Sequence, residues 1–497
     1  MTDGSCEGPN RGVQVMRYNH IIEATSGTAS TGRDASTGGA AAADRPSGRR
    51  RRNRRLLIGA VTMALLAAAC GNSEESSTTP KEPTKDSTPE DTGLSNENVP
   101  VDAPGVSDTE IRVGGVASVT NRLGGKYGEA FDGAQAYFDM VNEAGGIYGR
   151  TISLVAKRDD QLVNNKSEVE GLLGSDDVFA VVPVATLLFT GADLLVEQNV
   201  PTFGWAINPE WGGDAENPRS NLFGQSGSFL CFGCASAFLP WLAKETGSKK
   251  IGVLAYAVPQ SSQCADGIEA SFDQFGAAAD GAEVAFADKS LAYGEANLSV
   301  QVKAMKDAGV DLVTTCMDTN GVTTLAKEMK KQQLDAKQYL PNGYDQEFLD
   351  EFGDLFEGSF VRTDFTQWQL PEQDQPEGLR QYLAAMSKAG KEPAENSLAA
   401  WMNADLFVEG LKAAGPQFSR QKLIDAINVM TSYKANGLLH GVDWTVAHDR
   451  QGDPNLSCQF MSVIRDSQFA PEYSKPGKPF LCVDSTDPTT FAIRNEA

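Results

Sequence analysis

The chain has 497 residues, with 43 Lys and Arg against 66 Asp and Glu and only three His. That length accommodates two or more domains. Residues 1–70 hold ten Arg, no Lys and five acidic residues, which leaves 33 basic and 61 acidic residues in 71–497, a net charge of −28. Such a body repels nucleic acid and anionic lipid. Three His leave little for a His-built metal site or catalytic triad, and no cofactor motif is present.

Residues 1–48 are rich in Gly, Ala, Ser and Thr, lack a hydrophobic pattern and read as unstructured. Arg49–Arg55 (RRRRNRR) is then a basic n-region, and Leu56–Ala69 (LLIGAVTMALLAAA) is a fourteen-residue apolar segment, short for a bilayer span. LAAAC followed by Gly resembles a bacterial lipoprotein signal, with Cys70 as the lipidated residue. Ala67 holds the place where that pattern usually has Leu. The alternative is an ordinary secretory signal with Cys70 incidental. Residues 71–105 are Ser, Thr, Pro, Glu and Asp with almost no large apolar side chain, so they read as a flexible tether. A lipid anchor with such a tether would hold a folded domain at the outer face of the cell membrane.

The folded body begins with EIRVGGV (110–116), a strand with Ile111, Val113 and Val116 near period-two spacing. A Gly-rich polar loop, 117–127, follows. Phe131, Ala134, Phe138 and Val141 then fall on one helical stripe, which Gly145-Gly146 terminates. TISLVA is the next strand, completing a strand–helix–strand unit of a parallel sheet. The alternation continues: a helix over 167–173, the continuous apolar run VFAVVPV (178–184), a helix through Leu194-Leu195 and the strand VPTFG. A helix over 229–245 precedes the strand KIGVLAY (250–256). Helices at 265–276, 297–308 and 321–334 alternate with strands at 282–287, 310–316 and 337–341. GSFVRTDF near Gly358 is one more strand. Three helical segments fill 376–430, of which WMNADLFVEGLKAAG reads as the most amphipathic, and shorter strands and turns close the chain.

No enzyme motif stands. HExxH and GxxxxGK[ST] are absent, and GQSGS (224–228) fails the nucleophile elbow because Ser228 occupies its last glycine position. LGGKYG lacks the length and the Ser/Thr of a phosphate loop. Asp159-Asp160 could be read as acid and base, but neighbours on a strand face opposite ways, so a structural role is expected.

The segment DTEIRVGG…YGEAFDGAQAYFDMVNEAGGIYGRTISLVAKRDD is similar to the first lobe of periplasmic solute-binding proteins of the branched-chain amino-acid type. The carrying features are Tyr127-Gly128, Ala144-Gly145-Gly146-Ile147-Tyr148-Gly149-Arg150 and Asp159-Asp160, followed by VFAVV, NVPTFG, KKIGVLAY and VDLV. The resemblance covers about 106–497. It implies an α/β fold of type I, two Rossmann-like lobes joined by hinge crossovers near 228, 359 and 440. Lobe 1 would comprise 106–228 and 360–440, and lobe 2 229–359 and 441–497. It also implies a small-molecule ligand, an ABC permease as membrane partner, a monomer, and no enzyme activity. A sensory receptor and an exported α/β hydrolase are the rival readings.

The resemblance places the ligand at strand ends facing the cleft. From the first lobe these are Thr120 and Tyr127, Ala185 and Thr186, and Trp205 and Ala206; from the second, Tyr256, Gln260, Asp318, Thr319, Tyr344 and Asp345. In amino-acid-binding relatives, backbone amides and hydroxyls after the third and fourth strands hold the ligand carboxylate. This chain keeps Thr186, but has Ala206-Ile207 where relatives often have Ala-Thr or Ala-Ser, and Val182-Pro183 in place of Gly-Pro. An acidic residue of the second lobe would meet a ligand ammonium.

Six cysteines beyond Cys6 and Cys70 fall in second-lobe segments: Cys231, Cys234, Cys264, Cys316, Cys458 and Cys482. An exported chain meets oxidising conditions, so an even number reads as disulfides. Cys458 with Cys482 is the favoured pair. Cys264 with Cys316 would join two cleft-facing segments, and Cys231-Phe-Gly-Cys234 reads as structural rather than redox-active. A zinc site is the weakest reading, because the spacing between Cys pairs is irregular.

Overall fold

The computed structural model describes residues 97–213, 218–227, 234–341, 343–448, 458–485 and 487–497. The expected signal, Cys70, Cys231, the crossover at 228 and all but the end of the tether lie outside the described residues.

Strand β1 (Glu110–Ala117), helix α1 (Glu129–Glu143) and strand β2 (Thr151–Asp159) form the opening unit. Phe131, Ala134 and Phe138 are buried, and Val141 packs at the edge of the same core. Gly145 (φ 108°) and Gly146 (φ 74°) end the helix in backbone conformations that disfavour other residues, and the Gly146 amide donates to Val141 O at 3.0 Å. Arg150 is buried, and its guanidinium donates to the carbonyls of Ser107 (2.7 Å) and Val99 (2.8 Å). The Gly-Arg pair of the motif therefore fastens the entering chain rather than serving a ligand.

Strands β3 (Ala180–Ala185), β4 (Thr202–Gly204) and β5 (Leu222–Gly224) complete a five-stranded parallel sheet in the order β2-β1-β3-β4-β5. The pattern did not reveal β5, which is only three residues long. Pro183 lies within central β3; it has no N–H to donate, and the register on both sides of the strand skips from Val181 to Val184.

Helices α2 (Asn165–Gly174) and α3 (Ala192–Glu197) connect β2 to β3 and β3 to β4, and α4 (Phe238–Thr246), the described part of the helix expected over 229–245, leads to the second sheet. The second sheet is built from β6 (Lys250–Tyr256), β7 (Glu283–Leu291), β8 (Leu312–Cys316), β9 (Lys337–Leu340) and β10 (Phe360–Thr363). Helices α5 (Pro259–Phe275), α6 (Ser299–Asp307), α7 (Thr319–Gln332) and α8 (Gln346–Phe352) connect them. Their order is β7-β6-β8-β9-β10, all parallel. The sheet continues antiparallel through β11 (Cys458–Arg465), β13 (Phe480–Asp484) and β14 (Ala492–Glu496), and β12 (Gln468–Glu472) pairs the far half of β11. A boundary at 359 is too early: β10 still pairs β9 and β11, so the chain leaves this sheet only after Thr363.

Helices α9 (Glu377–Ala389), α10 (Glu395–Ala414) and α11 (Arg420–Ile427) return to the first sheet, where α10 packs on α1, β3 and β4. The expectation that α10 is the most amphipathic of the three helices is wrong. Fourteen of its twenty residues are buried, because neighbours surround it and leave no broad polar face. Its approach to α1 is so close that a Cβ on Gly133 would fall 1.8 Å from Ser397 O. The buried Asp405 carboxylate accepts from Tyr137 Oη at 2.7 Å and Tyr433 Oη at 2.6 Å, tying α10 to α1 and to the segment after α11.

Two disulfides staple the second sheet: Cys264–Cys316 joins α5 to β8, and Cys458–Cys482 joins β11 to β13, where the two residues face each other. Cys234 is also disulfide-bonded. The three groups His440, Cys458 and Cys482 come close enough for a metal, but both thiols are consumed in the disulfide.

Candidate functional site

Both parallel sheets reverse direction of winding beside their first strand, at β1/β3 and at β6/β8, and ligands in such sheets lie beyond the strands' carboxyl ends at these points. Those ends converge here. A cleft of about 630 Å³ is lined by residues at the carboxyl ends of β1, β3, β4, β5, β6, β7, β8, β9 and β10 and by the chain entering α10. That size suits a small molecule.

Eight of the twelve expected residues line it: Tyr127, Trp205, Tyr256, Gln260, Asp318, Thr319, Tyr344 and Asp345. Four do not. Thr120 is exposed and its amide donates to Asp159 Oδ1 at 3.0 Å. Ala185 closes β3, and its carbonyl accepts from the Ser118 amide at 3.0 Å. Thr186 is fully buried beneath the cleft, where its hydroxyl donates to Asp160 and accepts from Asn165 Nδ2 at 3.3 Å. Ala206 is buried, with its amide on Gln225 Oε1 at 3.3 Å. These residues follow the correct strands, but their polar groups are spent holding the loops. Asp159 and Asp160 hold the loops too, since Asp160 also accepts from the Leu162 amide at 2.9 Å.

The loop after β1 is organised by Asn121, whose amide group donates to Ser118 O (2.9 Å) and Gly125 O (2.8 Å) while its oxygen accepts from the Leu123 amide (2.9 Å). This folds Tyr127 inward, stacked on Trp205 with ring centroids 5.6 Å apart. Across the cleft, Tyr256 packs edge-on to Tyr293 (5.3 Å), and Tyr344 tilts against Trp368 (4.2 Å). Tyr256 Oη donates to Asp318 Oδ2 at 2.7 Å, and Asp318 Oδ1 caps α7 by accepting from the Gly321 amide at 3.0 Å. Asp345 caps α8 in the same way, through the Phe348 amide at 3.1 Å.

Eight charged residues of the site escaped the sequence reading, among them Glu129, Glu395, Arg362 and Asp364. Of the last two, Arg362 lies at the end of β10 and Asp364 follows it, so both could have been found by the strand-end rule. Arg362 Nη1 pairs with Asp364 Oδ1 at 2.9 Å, and Asp364 Oδ2 accepts from Ser226 Oγ at 3.0 Å. Glu129 and Glu395 open α1 and α10, and no local pattern links them to a strand end. Burial and the Asp345 carboxylate push Glu129 up to about 7. Burial, then Asp364 and Asp345, push Glu395 up to about 8. Burial and the Asp318 carboxylate raise the Tyr256 hydroxyl.

The two sides of the cleft touch. Gln260 Nε2 donates to Leu187 O at 3.1 Å, Asn320 Nδ2 to Arg122 O at 3.4 Å, and Lys126 pairs with Glu347.

The profile of the family described as periplasmic binding protein matches residues 110–467. No curated protein matches. Among solved structures, a fatty acid ABC transporter substrate-binding protein from Thermomonospora curvata is similar at 17% identity and a TM-score of 0.59, over 80% of this chain and 94% of its own. A branched chain amino acid ABC transporter from Thermus thermophilus with bound valine is similar at 17% identity and 0.58, over 73% and 95%. A solute binding protein of R. palustris in complex with 4-hydroxybenzoate is similar at 18% and 0.55, over 73% and 95%. At these identities the likeness establishes the two-lobed type I fold.

Proposed function

The chain belongs to the periplasmic binding protein family, and from that premise we propose that it is an extracytoplasmic receptor that closes its two lobes on a small polar ligand and hands it to an ABC permease. The observation that carries this reading is the cleft itself. Side chains from both sheets line it, at the carboxyl ends of nine strands, with hydrogen bonds spanning its mouth. A ligand touching both sides favours the closed arrangement by the contacts it makes only there.

Lobe 1 in this proposal comprises 106–228 and the stretch from about 364 to 440, and lobe 2 comprises 229–363 and 441–497. Cys70 carries the lipid, the stretch from 71 to about 96 is the tether, since the chain is already fastened to the body at Val99, and the receptor works as a monomer. The disulfides Cys264–Cys316 and Cys458–Cys482 support an oxidising compartment. Among the described residues, no helix is long and apolar enough to cross a membrane. Binding without turnover, measured by calorimetry on the purified chain alongside a ligand-induced fall in the radius of gyration, is the expected result. Catalytic consumption of a bound molecule would refute it. Cys70→Ala is expected to move the protein from the membrane fraction to the medium.

A further inference from the structure

Ten charged side chains line the cleft, eight carboxylates and two cations. Both cations are already committed, Lys126 to Glu347 and Arg362 to Asp364. Asp318 and Asp345 are occupied as helix caps. Glu129 and Glu395 stand apart: both line the cleft half-buried and beside other carboxylates, and neither carboxylate accepts a hydrogen bond from a described residue. A carboxylate placed so is costly unless something meets its charge.

The first-lobe loops offer an anionic group little. The Leu187 amide donates to Ser118 Oγ (3.1 Å), the Trp205 amide to Val184 O (2.8 Å), the Ala206 amide to Gln225 (3.3 Å) and the Ile207 amide to Trp205 O (2.9 Å). The Thr186 hydroxyl donates to Asp160. A carboxylate entering here would find these five donors already engaged and several like charges nearby.

A third feature points to a ligand independently. Tyr127 is 6% exposed, lines the cleft, and its hydroxyl has no hydrogen-bond partner among the described residues. Its ring is buried, while the oxygen keeps contact with the cleft space. The Tyr127 ring stacks on half-buried Trp205, so an oxygen acceptor and aromatic faces lie together in the site. Aromatic faces attract cations through the ring quadrupole.

We propose that the cleft selects an organic cation that carries no carboxylate of its own, an amine or diamine, whose ammonium is received by Glu129 and Glu395 and whose apolar stem runs over Tyr127 and Trp205. This rests on the reading of the cleft as the ligand site and adds the chemical class. Tyr127 Oη accepts from the same ammonium, and the remaining carboxylates repel zwitterions and anions.

The test is calorimetry on the full chain, purified free of small molecules, with cadaverine, choline, leucine and octanoate as probes. Cadaverine or choline is expected to bind at least about tenfold more tightly than leucine or octanoate. Glu129→Gln and Glu395→Gln, which keep shape and remove charge, are each expected to weaken the amine about tenfold or more and to leave the melting temperature unreduced. Amine affinity is also expected to fall as ionic strength rises, a readout that needs no variant. Tighter binding of leucine or octanoate, or amine affinity indifferent to both glutamates, would overturn the cation assignment while leaving the receptor reading intact. A chain that closes on none of the four probes and yields no bound molecule on denaturation would overturn both.

Discussion

Gln260 Nε2 lies 3.1 Å from the carbonyl oxygen of Leu187, so the first turn of α5 in one lobe is hydrogen-bonded to the loop after β3 in the other. The carbonyl already accepts from Asn208 Nδ2 at 2.7 Å, which holds it in place for the second donor. This contact exists only when the lobes are together. Gln260→Ala is expected to weaken closure by about 0.5–1.5 kcal/mol. Stopped-flow kinetics should show a dissociation rate raised about two- to tenfold with association little changed. Lys126→Ala, which removes a surface ion pair, is expected to change affinity by less than about 1 kcal/mol.

Glu129 and Glu395 make stability depend on pH in the direction opposite to a salt-bridged carboxylate. Their folded values, about 7 and about 8, lie above the ordinary value of 4.5. The folded state therefore holds protons that the unfolded state has released, and stability falls as pH rises from about 4.5 through 8. Asp132, Asp345 and Asp364 reinforce the shift, while Lys126, Lys391 and Arg362 oppose it. The ligand-free melting temperature is expected to drop between pH 5 and pH 8.5, and the double variant Glu129→Gln/Glu395→Gln to flatten that drop. An unchanged slope in the variant would show that other groups set it.

The Cys264–Cys316 disulfide lines the cleft and closes a sequence separation of 52 residues, whereas Cys458–Cys482 closes 24 and lies in a separate buried cluster. Each is expected to contribute about 2–4 kcal/mol to stability. Only the first also holds α5, and with it Gln260 and Ser261, against the end of β8. Replacing Cys264 and Cys316 by Ser should lower both melting temperature and ligand affinity. The same change at Cys458 and Cys482 should lower the melting temperature alone.

Asp405 is expected to be a pillar of the first lobe. Its replacement by Ala leaves the buried hydroxyls of Tyr137 and Tyr433 without their acceptor, at a cost of about 2–4 kcal/mol in chemical denaturation. Asp405→Asn keeps an oxygen acceptor and should cost less.

Much of the architecture was legible along the chain because hydrophobic period is a local property. The Phe131, Ala134, Phe138 stripe, the glycine cap at 145–146 and the run 178–184 each report their element from a few neighbouring side chains. Helix α10 was misread for the complementary reason: whether a helix keeps a polar face depends on how many neighbours surround it. The strand-end rule likewise reached Tyr127, Trp205, Tyr256 and Asp318, yet failed for Thr186, whose chemistry is decided by the distant Asp160 and Asn165 beneath it.

The sequence by itself determined most of the order of strands and helices, the acidic character of the body and several of the loops that line the cleft. All three follow from local pattern and composition. Only the tertiary structure decided which polar groups remain free in those loops. Two glutamates, 129 and 395, begin separate helices far apart in the chain, and folding brings both to one cleft while turning the neighbouring backbone donors inward. Hydrogen-bond pairing is settled between segments, so no reading along one segment could assign it.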